Sequence, residues 1–474
     1  MSAVLRNFLS LAFGRYTALA VGFAVTIILA RALGVENYGE FITALGISEL
    51  FAAMLDLGLT RILIKEGAAD RGRVGAHLAN ILAIKAALAL LVLGAMHFYA
   101  LRLGWMSPAY QLVLLLSLCK IADGFQMMFD GVFQVFQRME YSAFVLVAGR
   151  LGLLAAVLAG WATGSTLLYY GWLYFIVSGA TALATIALAS GRFVRPRRGS
   201  VTLRQTFGRE GLFFAISSLL YTAGSRFDML AAREFFGPEE RGIYGAAARL
   251  MLVMQILPAT LQTAVLPVIF DLGRNAREKL PAFFGAYLHR SMLLATIPLL
   301  MAVLFAGPLV HVLFGEAFVE TARWLPWMAA LLPLRFAVLA AGNLLTAIDR
   351  QWERTIWAAT GVGTSVTLLF LLVPRMGIPG AIVALLSGET LMMALNLGAT
   401  FRLGYRPAAL PILRTLFAWL LASGILLIAR ILFAPNLLLA LVLVFATSLS
   451  MLLVTRAADL EDLRRLTSFG RTRG

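Results

Sequence analysis

Residues 77–99 read HLANILAIKAALALLVLGAMHFY, an apolar run interrupted by one charge, Lys85. Wound as a helix at 1.5 Å per residue, a run of this length reaches across the roughly 30 Å hydrocarbon core of a bilayer. Comparable runs lie to either side. The first half carries them near 11–33, 39–62, 77–99, 109–133, 141–162 and 167–190. Residues 192–209 then break the hydrophobicity with Arg192, Arg195, Arg197, Arg198, Arg204 and Arg209 beside Pro196 and Gly199. A second set of six follows near 211–233, 242–267, 283–306, 321–347, 354–374 and 379–400, and two more near 411–432 and 436–455 complete the series. The pattern predicts an all-α polytopic membrane protein of about fourteen transmembrane helices. Its parts are a six-helix lobe at 1–190, a basic linker at 191–210, a second six-helix lobe at 211–402, two extra helices at 403–455 and a basic tail at 456–474.

Composition agrees. Of 474 residues, 61% are hydrophobic and 14% charged, so the apolar surface exceeds what soluble cores can hide. The formal charge of +16 would raise nucleic acid as a partner in a soluble protein. Here the basic residues sit between apolar runs and the aromatics fall inside them, which excludes a base-stacking surface. Cys119 is the sole cysteine and lies in an apolar run, so no intrachain disulfide or thiolate metal cluster is expected. The first run is long enough to span and lacks a cleavage pattern, so the first helix is expected to remain attached.

Lys and Arg alternate between successive connections, as the retention of positive charge in the cytoplasm requires. The even-numbered connections carry Arg61, Lys65, Arg71 and Arg73, then Arg138, the Arg192 cluster, Arg274, Arg277 and Lys279, Arg350 and Arg354, and Arg402 and Arg406. The odd-numbered ones hold Arg31, Arg102, Arg233, Arg241, Arg323, Arg375 and Arg430. With Arg456, Arg464, Arg465, Arg471 and Arg473 of the tail, about 24 basic residues fall on one side against about 7 on the other, which predicts an even number of spans and both termini in the cytoplasm.

After the first span the chain reads Ala30-Arg31-Ala32-Leu33-Gly34-Val35-Glu36-Asn37-Tyr38-Gly39, and about 200 residues later Ala232-Arg233-Glu234-Phe235-Phe236-Gly237-Pro238-Glu239-Glu240-Arg241-Gly242. Both hold Ala-Arg and then Gly-x-Glu-x-x-Gly. A weaker echo links Val135-Phe136-Gln137-Arg138-Met139-Glu140 after the fourth span to Ala347-Ile348-Asp349-Arg350-Gln351-Trp352-Glu353 after the tenth. Helix-stop chemistry alone could write either motif; their matching places in the span order favour a repeat. Repeats of an even number of spans share one orientation, so the halves would be related by an axis along the membrane normal.

Through these motifs, together with Asp56-Leu57-Gly58-Leu59, Asp228 and Gly242-Ile243-Tyr244-Gly245-Ala246-Ala247, the sequence resembles the polysaccharide transporter family. These are the O-antigen and exopolysaccharide flippases of the multidrug/oligosaccharidyl-lipid/polysaccharide exporter superfamily. The resemblance covers most of residues 1–400 and departs at Gln137, where the family favours glycine before the basic residue. It implies two lobes around a central cavity, opened alternately to each side of a bacterial inner membrane. The implied cargo is an undecaprenyl-diphosphate-linked oligosaccharide, with the bilayer, a glycan polymerase and glycosyltransferases as partners.

Charges deep in apolar spans carry the chemistry, because each costs about 2.5–3.5 kcal/mol on insertion scales. Glu49, Lys85, Lys120, Asp123, Arg150, Arg226, Asp228, Arg335 and Glu389 lie well inside their spans; Arg15, Asp56, Asp130, Arg249 and Arg290 lie nearer an interface. Lys120 and Asp123, three apart, can bridge on one helix face, whereas Arg226 and Asp228 point differently. Arg15 can snorkel to the surface. Lys85, Arg150 and Arg335 cannot easily do so, and they are expected to line a cavity or else to pair with Glu49 or Glu389. The substrate-binding candidates are therefore Arg15, Lys85, Arg150, Arg226, Arg249 and Arg335, whose guanidinium forks and ammonium suit a diphosphate. Glu49, Asp228 and Glu389 are candidate coupling or ion-pair carboxylates. Acids nearly balance bases among these groups.

No catalytic residue, metal site or cofactor is expected. The sequence has no phosphate loop, no His-Glu-x-x-His and no Gly-x-Ser-x-Gly, and its four histidines are scattered. A cation antiporter of the same superfamily would need a dominant carboxylate without so many partner cations. A glycan polymerase or ligase would use a long external loop, which the short connections argue against.

Overall fold

The computed structural model describes residues 3–197 and 226–406, with single positions at 219, 224 and 424. The expected spans at 411–432 and 436–455, the tail and most of the linker lie outside the described residues. Those described form helices and the turns between them. They run as α1 (Ala3–Asp56), α2 (Leu59–Ala69), α3 (Val74–Leu101), α4 (Pro108–Val135), α5 (Met139–Ala162), α6 (Leu167–Arg192), α7 (Phe227–Phe235), α8 (Pro238–Met254), α9 (Ile256–Asn275), α10 (Leu280–Phe314), α11 (Thr321–Ala329), α12 (Leu331–Ala347), α13 (Gln351–Met376) and α14 (Ile378–Arg402). Nine segments among the described residues are long and apolar enough to cross a membrane. The chain is thus a multi-pass all-helical membrane protein; the expected number of fourteen rests on the sequence alone.

The chain divides into two compact units, residues 1–245 and 246–474, with the border inside α8, later than the 191–210 linker. In the first unit, Gly34 adopts φ 70° and ψ 175° within α1, a left-handed conformation that an L side chain resists. The chain reverses there. Gly14 packs on Ala143 near the start of α5 and Gly67 on Val135 at the end of α4, so the two arms of α1 leave from and return to one end of the unit. That end is the Arg138 end; the other is the Gly34 end. α4 begins on a capped turn, with the Ser107 hydroxyl accepting the Tyr110 N–H at 3.1 Å and Pro108 in the first turn. α5 and α6 leave Phe144, Leu151, Leu158, Trp172, Ile176 and Leu183 exposed, an apolar wall of the kind that lipid covers.

The weaker sequence echo folds into one recurring turn. At the end of α4 the Arg138 N–H donates to the Phe133 carbonyl at 2.9 Å and Gln137 takes φ 56°. At the end of α12 the Arg350 N–H donates to the Leu345 carbonyl at 2.7 Å and Asp349 takes φ 64°. These long bonds and left-handed residues are helix-terminating stereochemistry that glycine ordinarily supplies, which gives the physical reason for a glycine where this chain has Gln137. A short 3-10 turn precedes α3 at Arg71–Arg73 and precedes α10 at Arg277–Lys279. Each unit has its core beside these turns: Leu59, Leu78, Ile81, Phe129 and Phe133 in the first, Ile269, Leu280, Phe284, Ala340 and Leu344 in the second.

Candidate functional site

The deep charges of the first unit meet where the second arm of α1, α4, α6 and the start of α7 converge. Glu49 on α1 receives the Arg226 Nε at 2.7 Å and the Lys120 ammonium at 3.6 Å. Lys120 also bridges Asp123 at 3.1 Å, as their spacing on α4 predicts. The other Asp123 oxygen accepts the Ser178 hydroxyl of α6 at 2.6 Å, and Ser178 in turn receives the Cys119 thiol at 3.1 Å. Arg226 is the N-cap residue of α7. Two carboxylates and two cations thus form one half-buried, internally neutral network.

Lys85 lies apart from this network. It is 0% exposed and its ammonium donates to Asp56 at 3.1 Å, while the Thr60 hydroxyl holds the same carboxylate oxygen. A residue with no accessible surface cannot line a cavity, so Lys85 belongs to the packing of the unit. Its partner is Asp56, neither Glu49 nor Glu389. Arg150, on α5, is half-buried and close enough to Cys119 to act on it electrostatically, and it makes no ion pair or hydrogen bond among the described residues. Asp228 accepts the Tyr244 hydroxyl at 2.8 Å and the Met229 N–H at 2.9 Å, whereas Arg226 turns to Glu49. The Arg15 side chain lies outside the described residues.

In the second unit Arg335 on α12 donates through Nε to Glu389 on α14 at 2.8 Å, the ion-pair arrangement allowed for it. Arg249 on α8 is half-buried with no charge partner among the described residues. About two turns further along α12 stands an amide network: Gln262 donates to Asn343 at 3.3 Å and Asn343 donates to the Tyr287 hydroxyl at 3.0 Å.

One cluster was not singled out from the sequence. At the Gly34 end, Glu40 holds both Arg233 and Arg241, and Arg241 also donates to the Arg233 carbonyl at 2.9 Å. The two Gly-x-Glu-x-x-Gly turns lie against each other there. A Cβ on Gly242 would stand 2.0 Å from the Val35 carbonyl oxygen, and one on Gly39 would stand 2.5 Å from the Gly242 nitrogen. Only glycine permits that approach. The signal was present in Arg233 and Arg241, two of the few basic residues on the sparse side; the carboxylate they share sits one position beyond the motif.

Chemically, the network around Glu49 offers donors that can exchange a protein carboxylate for an incoming anion. Arg226 uses Nε on Glu49, which leaves the terminal nitrogens of its fork as further donors. Among the described residues no group of three or more His, Cys, Asp or Glu is placed to hold a metal ion.

Solved structures share this fold. The lipid II flippase MurJ in an inward closed conformation superposes with a TM-score of 0.75 at 13% identity, covering 96% of this chain and 99% of that one. An inward-facing multidrug resistance MATE family transporter of the MOP superfamily gives 0.65 at 16% identity, covering 82% and 94%. A MOP superfamily transporter from Pyrococcus furiosus, described as having a binding pocket of reversed polarity, gives 0.60 at 15% identity, covering 85% and 95%. At these identities the likeness is one of fold. No curated protein sequence is significantly similar to the chain. The profile of the family described as "Polysaccharide biosynthesis protein" matches residues 4–272, more than half of the sequence, and the chain therefore belongs to that family.

Proposed function

We propose that the protein flips an undecaprenyl-diphosphate-linked oligosaccharide across the cytoplasmic membrane by alternating access, serving export of a cell-surface polysaccharide. The observation that carries this reading is the neutral, half-buried network of Glu49, Lys120, Asp123 and Arg226, with Arg150 nearby and without an ion pair among the described residues. An arginine fork engaged by a carboxylate through one nitrogen can pass to a diphosphate at little cost, because one anion replaces another. The internal carboxylates then compete with the cargo and favour its release. Arg150 and Arg226 are the proposed headgroup contacts of the first unit, with Glu49 holding the Arg226 fork between turnovers; Arg249 and Arg335, with Glu389, are the second unit's own candidates. Family membership and the MurJ-like fold support a lipid-linked cargo, and the recurring turns support two lobes in parallel repeat. A glycan polymerase and glycosyltransferases would act before and after the step.

A cation antiporter is the second reading, and it needs a carboxylate exposed to cargo without a resident cation. The deep carboxylates Glu49, Asp123 and Glu389 hold cations, which disfavours it, and Asp228 is taken up by the Tyr244 hydroxyl and the Met229 N–H. The test is reconstitution of the full chain in vesicles carrying a fluorescent undecaprenyl-diphosphate oligosaccharide, with a membrane-impermeant quencher reporting the leaflet. Wild type is expected to move the lipid and Arg226→Gln to slow it at least about tenfold, a loss of about 1.4 kcal/mol. Wild-type vesicles that leave the lipid in place while moving organic cations would overturn the proposal.

A further inference from the structure

We propose that the Arg138 end of the first unit is a binding site for the phosphate headgroup of a membrane lipid, separate from the transport site and independent of its cargo. Phe133, Phe136, Tyr141 and Phe193 interlock there, with Phe136 and Phe193 at 5.5 Å and Tyr141 and Phe193 at 5.5 Å between ring centroids. Three guanidinium groups lie on this aromatic plate. Arg138 and Arg192 both stack on Tyr141, at 5.2 and 5.5 Å from its centroid, and Arg71 stacks on Phe136 at 5.7 Å. Arg192 also donates to the Tyr141 hydroxyl at 2.9 Å. The Arg197 N–H donates to the Gly75 carbonyl at 3.0 Å, which draws the segment carrying Arg195 and Arg197 onto the start of α3, next to Arg71 and Arg73.

The charge at this end is not balanced. Arg73 pairs with Asp70 and Arg138 with Glu140. Arg71, Arg192, Arg195 and Arg197 are exposed and have no carboxylate partner among the described residues. Retention of this end in the cytoplasm needs only the number of positive charges; it does not need two of them fixed on one ring, where they repel. Stacking fixes the forks and removes side-chain entropy before an anion arrives, and a phosphate between them relieves the repulsion.

The neighbouring surface selects a lipid. Phe144, one turn into α5 from Tyr141, is 71% exposed, and Leu183 on α6 is 68% exposed. An apolar wall thus starts directly below the cationic plate, as acyl chains beneath a bound headgroup require. Basic pockets of this kind on the cytoplasmic side recognise anionic lipids.

Native mass spectrometry of the purified full chain tests the site by titration with phosphatidylglycerol and, separately, with phosphatidylcholine. The wild type is expected to retain phosphatidylglycerol preferentially. Arg138→Gln/Arg192→Gln is expected to lose that preference by about tenfold, and Tyr141→Leu, which keeps every charge, by a smaller factor. Arg402→Gln/Arg406→Gln, the same charge change in the second unit, is expected to retain it. Equal retention of the two lipids by the wild type, or an undiminished preference in both first-unit variants, overturns the proposal. So does an equal loss in the second-unit variant, which would reduce the effect to net charge. Displacement of phosphatidylglycerol by inorganic pyrophosphate at equal concentration would assign the site to free phosphates instead. Variants with altered elution on size exclusion are replaced by Arg192→Lys, expected to bind more weakly because the fork is lost while the charge remains.

Discussion

The ends of α4 and α12 fold alike and their interiors do not. Both helices close with the same long backbone bond and a left-handed residue, Gln137 in one and Asp349 in the other. Inside, α4 offers Asp123 to the Ser178 hydroxyl of α6, whereas α12 offers Arg335 to Glu389 of α14. The first unit further buries Lys85 on Asp56, while the second uses the amide chain from Gln262 through Asn343 to Tyr287. Turns repeat because ending a helix admits few backbone solutions. Interior polar groups can diverge in sign and number provided each finds a partner, since the cost attaches to an unpaired group. Glu49 in the first unit gathers two cations into a network, whereas Glu389 in the second holds Arg335 in a pair.

Substitutions in the two units test this contrast, and the largest effect is expected at Lys85. Lys85→Met strands Asp56 in the interior and is expected to cost about 3–5 kcal/mol, read as lost membrane abundance and a lower melting temperature, with partial recovery on adding Asp56→Asn. Gln262→Leu in the second unit is expected to cost about 1–2 kcal/mol; equal losses would remove the distinction between a charged and an amide interior.

Next comes the close approach of the glycine turns. Gly242→Ala forces a methyl group onto the Val35 carbonyl and is expected to cost about 1–3 kcal/mol by overpacking. At Gly307 of α10 the same substitution meets open space and should leave thermal stability unchanged or raised. An unchanged melting point for Gly242→Ala would contradict the contact.

Arg150, which makes no ion pair among the described residues, separates function from packing. Arg150→Gln is expected to lower lipid flipping at least about tenfold, equivalent to 1.4 kcal/mol, with abundance unchanged. Arg335→Gln, which strands Glu389, is expected to lower abundance as well. Flipping assays and membrane immunoblots on the same cells decide between these patterns; full activity in Arg150→Gln would end its assignment to the headgroup.

The smallest effect is expected at the repeated turns. Gln137→Gly and Asp349→Gly each relieve a left-handed side chain and should stabilise by about 0.5–1 kcal/mol, seen as a rise in melting temperature of similar size in both. A gain at one site alone would mean that the two turns are not equivalent in energy.

Much of this molecule is determined by local chemistry that a sequence carries openly. Apolar runs long enough to cross a bilayer specify helices, because no other local structure satisfies the backbone without water. The first six runs correspond to the two arms of α1 with α2, and to α3, α4, α5 and α6. Gly34 marks the reversal and the Arg138 and Arg350 echoes mark matching turns, since each is a property of a few consecutive residues. The Lys120–Asp123 bridge was legible for the same reason: both groups lie on one helix face. Partners across helices were not. Lys85 finds Asp56, which its place in the run had put nearer an interface; Glu49 collects Lys120 from α4 and Arg226 from α7; and Glu40 gathers two arginines from beyond the linker. Insertion cost requires that each deep charge be paired or turned inward, but it is indifferent to which partner serves. That choice belongs to the rotation and depth at which helices pack, and only the tertiary structure fixes those.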